Sequence, residues 1–170
     1  MRISIITLFP ASFETIFNSP ILKRAQIKGK VEFEFINLRD FGEGKHKTVD
    51  DRPYGGGAGM VLKSDVLTKA LLSVRKKGSR VILTSASGTK YNQAIAQKLS
   101  KEKHLIIVCG HYEGIDQRFI DKYATNEISI GDYILTGGEI PAMVITDSIV
   151  RLIPKVLEKP EAIINESFSE

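Results

Sequence analysis

Three glycine-containing turns hold the residue types best suited to chemistry: Thr84-Ser85-Ala86-Ser87-Gly88, Gly110-His111-Tyr112-Glu113-Gly114, and the stretch Ile130 to Glu139. Glycines let main-chain N–H and C=O groups approach a ligand closely. With few Lys or Arg nearby, such a lining suits a purine edge or a ribose better than a highly charged phosphate. A neutral or cationic nucleoside is the favoured ligand class. Glu113 would suit a positive ligand, because a carboxylate a few ångströms from a sulfonium or ammonium in a partly dry pocket gains charge attraction. The same residue could equally serve as a helix N-terminal carboxylate before Ile115.

Rival chemistries fit less well. His46, His104 and His111 are far apart, Cys109 is the single thiol, and no H-x-x-x-H or C-x-x-C spacing occurs, so no metal site is expected. Gly57 through Ser64 nearly spells a phosphate loop, but Leu62 stands before Lys63 where a glycine must let the backbone hug a phosphate. Gly57-Ala58-Gly59-Met60-Val61-Leu62 lacks the last glycine of a dinucleotide fingerprint and follows a loop, not a strand.

The elements that position these turns follow from periodicity. Ile3 to Phe9 reads as a buried strand ended by Pro10. Ser19-Pro20 opens a short helix that Gly29 stops. Val31, Phe33 and Phe35 alternate with Glu32 and Glu34, the pattern of a strand with one wet face. Residues 39 to 60 show no periodicity and contain six glycines, a long loop of the kind that usually has a job. Val66, Leu67, Ala70, Leu71 and Val74 then mark the face of a helix from Ser64 to before Gly78.

Arg80 to Thr84 is expected as a strand, 91 to 101 as a helix, Leu105 to Cys109 as a strand and Ile115 to Tyr123 as a helix. Ile128 to Leu135 is an apolar run broken by Gly131-Asp132. An amphipathic helix from about Glu139 to Ile153 follows, with Pro141 tolerable in its first turn and Pro154 ending it. Lys159 to Glu170 reads as a linker or lid. The alternation is α/β, and in open α/β sheets ligands sit beyond the carboxyl ends of the strands, where the first two turns fall.

The chain has 170 residues, 42% apolar and 26% charged, which suits one domain with a sizeable core. Cys109 lies within an apolar run, so a reducing cytoplasmic setting is expected, and no stretch approaches the roughly 18 apolar residues of a membrane span. Charge is uneven: net +2 over 1–60, +8 over 61–105 and −6 over 106–170. The basic middle could steer a polyanion, or Arg75-Lys76-Lys77 could be the solvated end of a helix.

The strings Asp50-Asp51-Arg52-Pro53-Tyr54-Gly55-Gly56-Gly57-Ala58-Gly59-Met60, Gly110-His111-Tyr112-Glu113-Gly114-Ile115-Asp116 and Ser129-Ile130-Gly131-Asp132-Tyr133-Ile134-Leu135-Thr136-Gly137-Gly138-Glu139 resemble those of bacterial tRNA (guanine-N1)-methyltransferases, in order, over Met1 through Phe168. The resemblance implies a SPOUT methyltransferase fold: a mainly parallel sheet flanked by helices, with a deep C-terminal trefoil knot. Periodicity alone could not supply the knot, a feature otherwise nearly absent from proteins. The resemblance also implies that S-adenosylmethionine binds at Leu83, Thr84, Ser85 and Ala86, at Gly110, Tyr112, Glu113 and Gly114, and at Ile130, Tyr133, Leu135, Gly137 and Gly138. Most of these would act through backbone groups.

Guanine N1 bears a proton, and its lone pair becomes a good nucleophile only when that proton leaves, which calls for a general base. The resemblance gives this role to Glu166, in Glu166-Ser167-Phe168, where related enzymes carry Asp-Ser-Phe. It gives the second catalytic position to Arg151, whose guanidinium would stabilise charge developing on O6. An exposed helix cation is the plain alternative for Arg151. Lys45, His46, Arg52, Tyr54, Gly55, Gly56, Gly57 and Gly59 would hold the target nucleotide, flipped from the anticodon loop, through cations, an aromatic and close backbone. Ala58 stands where proline is usual in the family, and His111 where arginine is frequent.

The resemblance further implies a homodimer with shared active sites, tRNA as partner, no membrane partner and room for Mg2+ assistance. Residues 1–158 are expected to be the catalytic domain and 159–170 the start of an interdomain linker. Related proteins continue into a tRNA-gripping helical domain, so the expected behaviour is cofactor binding with weak or absent methylation. A non-catalytic RNA-binding module on the same scaffold and an unrelated nucleotide-binding domain are the ranked alternatives.

Overall fold

A computed structural model describes residues 1–159 and 167–168. Five strands form one sheet in the order β2-β1-β6-β5-β7. They are β1 (Arg2–Thr7), β2 (Glu32–Asn37), β5 (Arg80–Lys90), β6 (His104–Cys109) and β7 (Asn126–Ser129), and every neighbouring pair is parallel. Two-residue strands β3 (Asp50–Asp51) and β4 (Val61–Leu62) form a separate antiparallel ribbon. The helices are α1 (Glu14–Phe17), α2 (Pro20–Ile27), α3 (Ser64–Val74), α4 (Gln93–Leu99), α5 (Gln117–Tyr123) and α6 (Glu139–Val150).

The two-residue period of the central strands builds a core on each face of the sheet. Ile3, Ile5, Ile82, Leu105 and Ile107 point to one layer, where α2, α4 and α6 contribute Leu22, Leu99, Ala142, Ile145 and Ile149. Ile6, Val81, Leu83, Ile106 and Val108 point to the other, against Val66, Leu67, Ala70 and Leu71 of α3 and Phe119 of α5. All five apolar positions predicted for α3 are buried. Fully burying each valine, leucine or isoleucine side chain stabilises the fold by about 1.5–3 kcal/mol.

Several expectations change. The strand predicted to end at Thr84 continues to Lys90, because the chain swings out after Thr84 and returns: Thr84 and Thr89 both register with Ile128 of β7. Sequence periodicity cannot show such an excursion, since Ser85–Gly88 makes no alternating pattern. The segment after Pro10, left without an element, forms a 3-10 turn (Pro10–Phe13) and α1, which bury Phe13 and Phe17. Within the 39–60 loop lie a second 3-10 turn (Leu38–Phe41) and β3.

The alternation in β2 is weak in space, as Phe33 is only half-buried and Phe35 remains partly exposed. Its edge position explains this, because only β1 pairs with it. Helix α6 is not cleanly amphipathic: it buries Ile145, Thr146, Ile149 and Val150, yet Ile140 and Val144 stay exposed. It also stops at Val150, three residues before the predicted end, with single-turn hydrogen bonds following to Leu152 and Ile153.

Candidate functional site

The carboxyl ends of β5, β6 and β7 are where backbone groups run out of strand partners. There the three glycine-bearing segments converge on a crevice of about 360 Å³. That volume lies in the range of small-molecule sites. Leu83, Thr84, Ser85 and Ala86 form one wall, Gly110, Tyr112, Glu113 and Gly114 a second, and Ile130, Tyr133, Leu135, Gly137 and Gly138 a third. All thirteen residues predicted from sequence to touch a cofactor therefore line one cavity.

Hydrogen bonds tie the walls together. The Thr84 hydroxyl accepts from the Gly110 N–H at 3.1 Å and reaches the Val108 carbonyl at 3.3 Å. The Gly138 N–H donates to the Gly110 carbonyl at 2.7 Å, and His111 bridges to Gly137. Glycine is required at the crossing. A Cβ on Gly138 would collide with the Thr84 hydroxyl and stand 2.6 Å from the Gly110 nitrogen and 2.8 Å from the Cys109 Cα. Tyr112 takes φ +58°, a left-handed conformation that costs a non-glycine residue about 1 kcal/mol or more.

Among the described residues no lysine or arginine lines the cavity, while Glu113 and Glu127 do. Glu113 is exposed at the rim, so its attraction for a cation is screened more than the partly dry pocket expected from sequence would allow. Its main-chain N–H donates to the Met60 carbonyl at 3.0 Å, and a Cβ on Gly59 would strike its side chain. The glycine-rich loop between β3 and β4 thus lies against the rim of the crevice.

Arg52, Tyr54, Gly55, Gly56, Gly57 and Gly59 all sit exposed on that loop, Tyr54 with its ring fully in solvent. Lys45 and His46 sit on a separate exposed turn closed by the Glu43–Thr48 pairing. Lys63 on the far side of the ribbon bonds the Glu43 carboxylate and holds it down to about 2.

Arg151 caps the other end of α6, its N–H donating to the Asp147 carbonyl at 3.2 Å. The 12 residues of α6 put about 18 Å between its ends at 1.5 Å per residue. Arg151 and the Gly138 end of the crevice are therefore not brought together within one chain. Glu166, the predicted base, lies outside the described residues.

The buried pair Thr7 and Glu139 was not singled out from the sequence. Glu139, at the first turn of α6, accepts from the Thr7 hydroxyl at 2.8 Å and lies 3.8 Å from His111 Nε2. An ionisable residue straight after Gly137-Gly138 at a helix start was the available signal. Burial, with Glu139 nearby, pushes the Cys109 thiol well up, so it stays protonated and inert. Among the described residues no group of three or more His, Cys, Asp or Glu could hold a metal ion, and no helix is long and apolar enough to cross a membrane.

The profile of the family described as tRNA (Guanine-1)-methyltransferase TrmD matches residues 1–170. A tRNA (guanine-N(1)-)-methyltransferase of Dictyoglomus turgidum is 57% identical over 168 residues, spanning 99% of this chain and 68% of that protein. Proteins of the same description from Bacillus pumilus and Bacillus subtilis are 52% and 49% identical, again over 99% of this chain, and 70% and 71% of their own lengths are covered.

Proposed function

The chain belongs to the tRNA (guanine-1)-methyltransferase family, and from that premise we propose that it methylates N1 of the guanosine on the 3′ side of the tRNA anticodon, with S-adenosylmethionine as donor. The observation that carries this reading is the convergence of three glycine turns on a cavity that, among the described residues, no lysine or arginine lines. A main-chain lining offers hydrogen bonds and flat walls to an adenosyl group without a phosphate clamp. The crowding at Gly138 and Gly110 leaves room for backbone only, which fits a ligand held close to the main chain.

Bound there, S-adenosylmethionine supplies an electrophilic methyl group on a sulfonium. The chain's own residues do the rest. Thr84, Gly110 and Gly138 hold the crevice open in a fixed shape through their mutual hydrogen bonds. Glu113 places a negative charge at its rim. Glu166 takes the proton from N1, and Arg151 stabilises negative charge on O6 as the proton departs. Arg52, Tyr54 and the glycines 55, 56, 57 and 59 seat the extruded nucleotide beside the crevice, with Lys45 and His46 on its flanking phosphates.

The α6 geometry supports a homodimer in this reading. An arginine about 18 Å from the Gly138 end of the helix reaches a methyl donor most directly in the crevice of a second copy. Exposed Ile140 and Val144 on α6 are apolar surface for such a contact. The trefoil knot belongs to the same proposal through the family, with Gly138 packed closely against Thr84 and Cys109. Residues 1–158 make up the catalytic unit, in a cytoplasmic setting that suits the free Cys109 thiol. Mg2+ assistance belongs to the same proposal, with no residue assigned to hold the ion.

The test is transfer of labelled methyl from S-adenosylmethionine to a tRNA transcript with guanosine, or adenosine, 3′ of its anticodon. Label in the first transcript alone is expected. Equal label in both, or no heat on calorimetric titration with S-adenosylhomocysteine, overturns the reading.

A further inference from the structure

We propose that the end of the sheet opposite the crevice is a second RNA-binding surface, one that grips the phosphodiester backbone without reading its bases. The inference rests on the tRNA reading above. All five main strands are parallel, so the loops that precede them meet at one end. The segments 28–31, 75–79 and 100–103 carry seven cations, among them Lys28, Arg75, Lys76, Lys77, Lys101 and Lys103, against the single carboxylate Glu102. That carboxylate is already engaged by Arg80 at 2.9 Å. None of the seven has an ion pair among the described residues.

The strand order aligns these loops in a row. From the β2 side inward they run Lys28 and Lys30, the amino terminus, Lys101 and Lys103, then Arg75 to Lys77, at the roughly 4.8 Å spacing of adjacent strands. Hydrogen bonds fix the row. The terminal amine donates to the Lys30 carbonyl at 2.9 Å, and the Arg2 N–H to the Lys103 carbonyl at 2.9 Å. Farther along, the Lys76 N–H donates to the Ser79 hydroxyl at 2.8 Å, and that hydroxyl bonds His104 Nδ1 at 2.7 Å. The nearby acids on β2 are Glu34, neutralised by Arg2 at 2.7 Å, and exposed Glu32.

Helix-end chemistry accounts for part of the charge and leaves the rest. Cations favour the last turn of a helix, and Arg24, Lys98 and Lys122 occupy such positions. The last turn of α3 has none, while Arg75, Lys76 and Lys77 follow beyond its end. Arg75 is further anchored over the Tyr123 ring, 5.5 Å from its centroid, with Lys122 at 5.2 Å on the same ring. A rigid, unpaired cationic row about one strand length, roughly 20 Å, from the crevice suits a polyanion long enough to reach both. A tRNA held at its anticodon loop is such a molecule.

The experiment titrates the 170-residue chain and its R75E/K76E/K77E variant with labelled tRNA over a series of salt concentrations. K23E, on exposed α2 surface, is the control. Cofactor-crevice integrity is read by calorimetric titration of each protein with S-adenosylhomocysteine. The triple variant is expected to bind tRNA at least tenfold more weakly at low salt, with unchanged S-adenosylhomocysteine affinity. Its log K against log salt slope should be shallower by about 2, near 0.7 to 0.9 per lost phosphate contact. Wild-type affinity and slope in the triple variant overturn the proposal, as does loss of binding to phosphatidylserine vesicles with tRNA binding intact, which would mark a membrane surface. Wild-type protein that binds tRNA through this row but binds no S-adenosylhomocysteine and transfers no methyl leaves the surface standing and removes the catalytic reading. Transfer with no effect of the triple variant on tRNA binding does the reverse.

Discussion

The Thr7 hydroxyl donates to the Glu139 carboxylate at 2.8 Å in the protein interior, joining residues 132 positions apart. Thr7 ends β1 and Glu139 begins α6, so one hydrogen bond ties the first strand to the helix that leaves the crevice. With His111 3.8 Å from the other carboxylate oxygen, Glu139 also touches the wall that carries Tyr112 and Glu113. Replacing Thr7 by Val would leave a buried carboxylate short of a donor. A loss of about 1–3 kcal/mol is expected, measured as a lower urea midpoint at unchanged m-value.

Gly138→Ala tests the close packing of segments at the crevice. The added methyl meets Thr84 and the backbone of Gly110 and Cys109, so the walls must move apart. A fall of tenfold or more in S-adenosylhomocysteine affinity is expected by calorimetry. Gly55→Ala, where a Cβ meets nothing within 4 Å and φ is ordinary, should leave that affinity unchanged.

Glu166→Gln and Arg151→Ala separate catalysis from binding. Each should lower the rate of methyl transfer at least a hundredfold, the scale of general acid–base or charge stabilisation, while the cofactor affinity stays near wild type. Turnover at the wild-type rate in either variant removes that residue from its role. Mixing the two variants gives a sharper result. If each site draws on two copies, heterodimers recover transfer whenever one crevice is paired with an intact Glu166 and Arg151.

Among the titrations that shape the acid side of the stability profile, Glu43 and His104 act in different windows. Glu43 is lowered from 4.5 to about 2, chiefly by its hydrogen bond to Lys63. A depressed carboxylate contributes fully above its unfolded pKa, so this contribution fades as pH falls from 4.5 toward 2. Burial lowers His104 below its ordinary 6.5, with Arg2 adding to the effect. Below 6.5 the unfolded chain takes up a proton that the folded chain resists, so stability starts to fall there, at milder acid. Denaturation midpoints measured against pH should show both phases, with Glu43→Gln weakening the lower one, which Glu34 and Asp116 share, and leaving the upper one unchanged.

Much of this was legible because the core obeys simple periods. The buried face of α3 follows residue for residue from Val66, Leu67, Ala70, Leu71 and Val74, and β6 is buried along its whole length as its unbroken apolar run implies. What sequence could not give depends on contacts between distant segments. Phe13 and Phe17 find their partners in Phe33 and Phe35 across a chain reversal that no local pattern announces. The thirteen crevice residues come from a resemblance, yet their meeting in one cavity depends on the sheet order, which periodicity leaves free. Arg151 shows the converse: the resemblance gives it a catalytic role, yet the helix sets it about 18 Å from the Gly138 end.

The doubled pairing of β5 with Ile128 has an implication for how this scaffold changes over time. Because the strand leaves the sheet after Thr84 and rejoins it opposite the same residue, Ser85 to Gly88 form a detour whose length is independent of the register on either side. Insertions or deletions there would reshape one side of the ligand cavity while every flanking ladder stayed in step. The detour is therefore the place where selectivity for the bound nucleoside can drift, or be redesigned, with the framework left intact.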